Sequence, residues 1–299
     1  MKERNKGLLF GFLAYILWGI IPLYWKLLPM VSPIDILCYR IVWSFLFMLG
    51  YILISRNWQK FIEEVKRVIT EKKKLFAIIC ASILISINWF TFIFSVSSGH
   101  VTEASLGYYM NPLVNVLLAT IFLKEKLSRW GMVACILAFT GVLLLTIQSG
   151  VIPWASLIMA FSFSLYGLIK KGVNVRSYTG LTIETFVIMP FALVYLLFFS
   201  NQGFMSYELT PNLLLVGAGI VTAIPLLFFA EAAKRISYII LGFIQYVNPT
   251  LMLLFAVFLF HEPYTMGQFI SFGMIWLGIL IFTYGNIHTY RKERQFNQQ

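Results

Sequence analysis

Acidic residues are scarce: 12 Asp and Glu stand against 23 Lys and Arg in 299 residues, and charged residues of all types make up only 12% of the chain. With 60% hydrophobic residues, 28 Phe and 8 Trp, this excludes an ordinary soluble domain, in which roughly a quarter of residues are charged. Cysteine is nearly absent. Cys38, Cys80 and Cys135 all lie inside apolar runs without ligand spacing, so neither a disulfide framework nor a metal site is expected. A Gly-rich phosphate loop with its lysine, an HExxH and a CxxC are also missing. These absences argue against ATP drive by this chain and against an enzyme, and no cofactor is expected.

What fills the chain is apolar sequence in runs of spanning length, at 7–28, 34–54, 75–97, 103–123, 130–147, 151–169, 179–200, 212–232, 237–260 and 266–286. About 20 residues of helix cross the roughly 30 Å hydrocarbon core, and a helix satisfies its own backbone there. The expected fold is therefore all-α, a polytopic membrane protein of ten transmembrane helices. The first run follows Lys2, Arg4 and Lys6 as a signal peptide would, but it has no small-residue cleavage site and reads as a retained span. Residues 55–74 mix charges with apolar positions recurring at three and four, which predicts an amphipathic helix at the inner interface.

The formal charge of +11 would suggest nucleic acid as the partner of a soluble protein, but here its placement decides. With a cytoplasmic N-terminus, the inner segments hold 21 of the 23 basic residues and the outer loops none; the two left over are Lys26 and Arg40. So one-sided a bias predicts a cell inner (plasma) membrane protein with both termini cytoplasmic, and no nucleic-acid role.

A pair recurs inside the apolar runs. Asn111-Pro112 and Asn248-Pro249 superpose at an offset of 137, which also sets Leu117 on Leu254, Ala119 on Ala256, Glu125 on Glu262, Gly141 on Gly278 and Thr146 on Thr283. Residues 1–148 and 149–299 then read as two five-helix repeats, and five being odd, the second enters the membrane inverted. Inverted repeats are a physical route to alternating access. Pro112 and Pro249 are expected helix breaks near the midplane, where a freed carbonyl and an adjacent Asn amide can bond to backbone, a neighbouring helix or a solute.

Around those breaks the candidate substrate cavity collects Asn88, Trp89, Tyr108, Asn111, Gln245, Tyr246 and Asn248, joined by Arg40 and Glu184, which occupy near-equivalent positions of the two repeats. An unpaired charge in hydrocarbon costs several kcal/mol, so each needs a reason. For Arg40 the structural alternative is snorkelling or a pair with Asp35; for Glu184 it is a bond to Lys170, Lys171 or Arg176. His100, Glu103 and Glu184 are the candidates for gating or coupling, with protons as the candidate coupling ion. Glu125 needs a bonded partner, because a helix C-terminus does not favour a carboxylate.

The segments ASLGYYMNPLVNVLL (104–118), FLKE (122–125), LGFIQYVNPT (241–250) and FLFHEP (258–263), with Arg40 to Ser44, Asn88-Trp89, His100 with Glu103, and Glu184 with Pro190, resemble the RarD proteins, a branch of the EamA-type transporters in the drug/metabolite transporter superfamily. The resemblance covers essentially the whole chain. It implies ten helices in two inverted repeats around a cavity lined mainly by the first, third, fourth, sixth, eighth and ninth spans, and transport of a metabolite or drug-like solute. The expected function is secondary transport of a small-molecule solute across the bilayer by alternating access, most simply export. The rivals are a membrane scaffold or signalling subunit, and a channel; oligomeric state is not legible.

Overall fold

The computed structural model describes residues 2–98, 101–150, 153–259, 261 and 265–296, with side chains at 96–97, 101–105, 149 and 289–296 outside the description. The described chain is helical: α1 (Lys2–Trp25), α2 (Pro33–Ile54), α3 (Trp58–Thr70), α4 (Lys72–Ser97), α5 (Val101–Phe122), α6 (Arg129–Ser149), α7 (Trp154–Gly172), α8 (Ser177–Phe198), α9 (Leu209–Arg235), α10 (Tyr238–Gln245), α11 (Val247–Leu254) with a π-turn at Phe255–Leu259, and α12 (Met266–Phe296). Among the described residues, eight stretches are long and apolar enough to cross a membrane: α1, α2, α4, α6, α8, α9, the run 238–259 and α12. α5 adds a shorter apolar helix, Leu106–Phe122. α7 is not among the eight; its buried Ser156, Ser162 and Ser164 and its terminal Lys170 and Lys171 lower its hydropathy.

The distribution of polarity is that of a membrane bundle. Phe76, Phe94, Ile136, Phe191 and Leu280 are exposed on the outside, while Asn111, Asn115, Lys170, Glu184, Gln245 and Asn248 are buried within. Without a hydrophobic drive between helices in lipid, close backbone approach has to hold the bundle together. α6 and α12 show how. A Cβ on Gly141 would stand 2.6 Å from the Ser271 carbonyl oxygen, and one on Gly278 would stand 2.8 Å from that of Ala134.

The helices pair in a regular way: α1 packs on α9 and α7 on α4; α5 packs on α7 and α10–α11 on α1; α2 meets α8, and α6 meets α12. α3 is the expected amphipathic helix, with Phe61 and Val68 buried. It also docks. Glu64 accepts from the Arg176 backbone N–H at 2.9 Å and the Thr179 hydroxyl at 2.6 Å, so a residue of α3 caps the start of α8.

Candidate functional site

Polar side chains gather inside the bundle in three clusters, and the central one surrounds the Asn-Pro pairs. Sequence predicts two helix breaks there; the structure contains one. Proline lacks the N–H and crowds the carbonyl four residues back, and for Pro249 that residue is Gln245, where α10 ends before α11 resumes at Val247. Pro112 instead lies within a continuous α5. Identical dipeptides thus differ by context: α5, packed on α7 and α10, stays helical through the missing hydrogen bond.

The two pairs nevertheless meet. The Tyr109 hydroxyl donates to the Pro249 carbonyl at 3.1 Å, the Ser164 hydroxyl to the Asn111 carbonyl at 3.4 Å, and Gln245 Oε1 accepts from Asn115 Nδ2 at 2.6 Å and from the Tyr15 hydroxyl at 3.4 Å. Oδ1 of Asn111, Asn115 and Asn248 and the Tyr246 hydroxyl are buried without a hydrogen-bond partner among the described residues. A buried unsatisfied polar atom costs about 1–3 kcal/mol, so this cluster retains capacity to accept N–H or O–H donors.

The second cluster holds Glu184. Of the three cations that sequence offers it, the partner is Lys170, whose Nζ lies 2.6 Å from Oε1, and the Tyr166 hydroxyl donates to Oε2 at 3.2 Å. Lys171 donates to the Ala233 and Ile236 carbonyls at 3.1 and 2.6 Å. Arg176 lies against Glu64. Lys234 donates to the Val175 carbonyl and to the Ser177 hydroxyl. The Glu184 pair separates two narrow cavities, one lined by Ile41, Ser86, Trp89, Tyr166 and Thr185, the other by Val175, Gly180, Lys170 and Lys234. Between α1, α7 and α9, the rings of Tyr15, Trp18, Phe163 and Tyr166 all pack on Phe229, with centroids 5.1–6.2 Å away. These rings form one aromatic cluster joining the three helices.

The third cluster is built on Arg40. Its guanidinium lies 4.4 Å from the Trp89 ring centroid and 5.4 Å from that of Trp25. Asp35 is engaged elsewhere, accepting from the Ser200 and Tyr207 hydroxyls at 2.9 and 2.7 Å. Burial and that bond to the carboxylate push the Tyr207 phenol above its ordinary range. Tyr108 sits on the same side of the bundle, edge-on to Phe92 at 5.8 Å.

The predicted site residues thus fall into groups: Asn111, Gln245, Tyr246 and Asn248 in the centre, Arg40 with Trp89, and Glu184 with Lys170, the last two meeting at the narrow cavity that Trp89 and Glu184 both line. Asn88 ties α4 to α7 through Nδ2, 2.8 Å from the Met159 carbonyl and 3.3 Å from the Ser162 hydroxyl. His100, Glu262 and the Glu103 side chain lie outside the described residues. Sequence reasoning missed Tyr15, Trp25, Asn115 and Phe229. Asn115 alone carried a usable signal, since four residues after Asn111 it shares that residue's helix face.

The structure supplies the partner that Glu125 requires. Oε1 accepts from the Tyr238 N–H at 2.8 Å and Oε2 from that of Ile239 at 3.0 Å, while the Ser237 hydroxyl takes the Ile240 N–H at 3.2 Å. A carboxylate of one half therefore caps α10 of the other, favoured by its N-terminal dipole. Glu125→Ala is expected to cost about 1–2 kcal/mol and to raise amide exchange at 238–241, measured by hydrogen-exchange mass spectrometry in detergent. Glu125→Gln, which keeps one acceptor, should lose less.

Among the described residues no cluster of three or more His, Cys, Asp or Glu side chains is assembled. The sequence profile of the EamA-like transporter family matches residues 5–147 and again 151–284. The uncharacterized transporter YojE of Bacillus subtilis is 46% identical over 286 residues, covering 95% of this chain and 96% of that one. Protein RarD of Salmonella typhimurium is 41% identical across 98% of this chain and 99% of its own, and Protein RarD of Escherichia coli is 40% identical across 97% and 98%. A solved crystal structure superposes with a TM-score of 0.66 at 19% identity, covering 92% of this chain and 96% of that one, a likeness of fold alone. Buried polar clusters inside an apolar helical bundle, the profile matched twice and near-full-length identity of 40% or more lead to one assignment: this chain is a multi-pass membrane protein of the EamA-like transporter family, in its RarD branch.

Proposed function

We propose that the chain is a secondary transporter that exports a small metabolite or drug-like solute by alternating access, built as ten spanning helices in two inverted five-helix repeats, residues 1–148 and 149–299. The observation that carries this reading is the pairing of the helices. If α1, α2, α4, α5 and α6 correspond to α7, α8, α9, α10–α11 and α12, most of the main contacts map onto one another: α1 on α9 becomes α7 on α4, α5 on α7 becomes α10–α11 on α1, α2–α8 and α6–α12 map onto themselves, and α2 on α9 answers a smaller contact of α8 with α4. The glycine contacts obey the same exchange, since Gly141 against Ser271 becomes Gly278 against Ala134 at the offset of 137. The double profile match supports it too. Two copies related in this way can trade conformations and so expose a central site to either side.

On this reading both termini are cytoplasmic in the plasma membrane, the substrate meets the Asn111, Gln245, Tyr246 and Asn248 cluster, and the Lys170–Glu184–Tyr166 cluster closes the inner side, with protons as the coupling ion. Purified protein in liposomes should move solute faster with a pH gradient than without, and Asn111→Ala with Asn248→Ala should remove most of that flux. Flux that the double variant leaves intact would sink the site. Ion conductance beyond alternating-access rates would point to a channel. No flux of any metabolite, with the cellular role preserved in the double variant, would point to a scaffold.

A further inference from the structure

Among the described residues Arg40 has no counter-ion, although it lies inside a helix long and apolar enough to span the membrane. It lies seven residues into α2, roughly 10 Å along the helix at 1.5 Å per residue. Its Nε is buried without a hydrogen-bond partner, and no carboxylate among the described residues pairs with it. The two acidic residues that sequence sets beside or equivalent to Arg40 are engaged: Asp35 with Ser200 and Tyr207, and Glu184 with Lys170 and Tyr166.

Arginine stays charged at any relevant pH, so it cannot escape the cost by losing its proton. Trp25 and Trp89 offset part of it through their π-faces, but cation–π contact repays less than an unpaired charge in hydrocarbon costs. Indole also has no lone pair in the ring plane to offer; its one polar group is a donor. The Nε–H is therefore buried against rings that cannot accept from it. Among the described residues, Tyr108 is within electrostatic reach of Arg40. Phe92, against Tyr108, extends the aromatic surface.

We propose that Arg40 is the anion-binding residue of the transported solute's site, and that the solute is an organic monoanion whose carboxylate takes the guanidinium fork and whose apolar or aromatic body lies along Trp25, Trp89 and Tyr108. A carboxylate matches the planar fork bidentately. One guanidinium suits a single negative charge rather than a phosphate dianion. This inference deepens the transporter reading and rests on it for the word "transported"; the anion site itself does not.

The test uses the full-length protein in nanodiscs and matched probes: benzoate against benzamide, phenylacetate against phenylacetamide, indole-3-acetate against its amide, and phenyl phosphate. Quenching of tryptophan fluorescence and thermal shift report binding. The expected result is that at least one carboxylate binds ten-fold or more tightly than its amide and its phosphate counterpart, that Arg40→Gln abolishes this preference, and that Arg40→Lys retains only part of it. Preference measured on the unsubstituted protein is independent of whether the variants fold. Equal binding of acids and amides, or a carboxylate preference that survives Arg40→Gln, overturns the proposal, as does tighter binding of the phosphate. Liposome flux separates the two readings. Neutral or cationic solutes carried unchanged by Arg40→Gln would remove the carboxylate assignment and leave transport standing, whereas Arg40-dependent carboxylate binding with no flux would leave the anion site and remove transport.

Discussion

Lys170→Met should be among the most damaging single substitutions in this protein, costing about 3–5 kcal/mol of stability. Lys170 and Glu184 are only 6% and 3% exposed, and their charges meet at 2.6 Å. Removing the lysine strands a carboxylate with one remaining donor, the Tyr166 hydroxyl at 3.2 Å. The cost of an orphaned buried charge far exceeds what the intact pair contributes, because the pair has already offset two desolvation penalties against one attraction. It follows that Lys170→Met with Glu184→Leu, which removes both charges and keeps the volume, should recover most of the loss. Thermal unfolding of the three proteins in one detergent decides this, and a double variant no better than Lys170→Met would refute the pairing as the cause.

The same double variant tests whether the pair acts as an inner lock. Ser86 lines the cavity on one side of Glu184, and Lys170 and Lys234 line the one on the other. With Cys38, Cys80 and Cys135 replaced, Ser86→Cys should resist a membrane-impermeant maleimide in inside-out vesicles when the lock is intact and react when it is gone. Equal labelling in both backgrounds would leave the pair a purely structural element.

Where the helices run was largely legible in the sequence; which way each residue faces was not. Hydropathy marks the helices because a backbone in lipid must bond to itself, and α3 was legible because its charges and apolar residues alternate at helical spacing. Partners depend on how each helix is turned and on which neighbour it faces. Glu184 was narrowed to three cations by proximity in sequence, and only packing selects Lys170 over Lys171, which turns to the end of α9 instead. The Trp25 and Trp89 contacts of Arg40 come from α1 and α4, and Asn115 meets Gln245 across 130 residues. Even the repeated Asn-Pro pair misled in one respect, since the dipeptide fixes where a hydrogen bond is lost but the neighbours determine whether the helix parts there.

Gly141 and Gly278 carry the second large effect, and its form is diagnostic. Each faces the backbone of the other's helix, so a Cβ at either position would fall 2.6 or 2.8 Å from a carbonyl oxygen that cannot swing aside. Leucine at either site must drive α6 and α12 apart, and overpacking of this kind costs about 1–3 kcal/mol. Because the two glycines lie in one crossing, the separation forced by the first leucine already makes room for the second. Gly141→Leu and Gly278→Leu should therefore be similarly destabilising, and the double variant should lose clearly less than their sum, with a coupling of about 0.5 kcal/mol or more. Gly273→Leu is the control, since on the same helix its Cβ would meet nothing within 4 Å and the change should be nearly silent. A double-mutant cycle from thermal unfolding would show strict additivity if the two contacts were independent. Additivity would remove the shared crossing, and with it the strongest local sign that the two halves of the chain are copies facing one another.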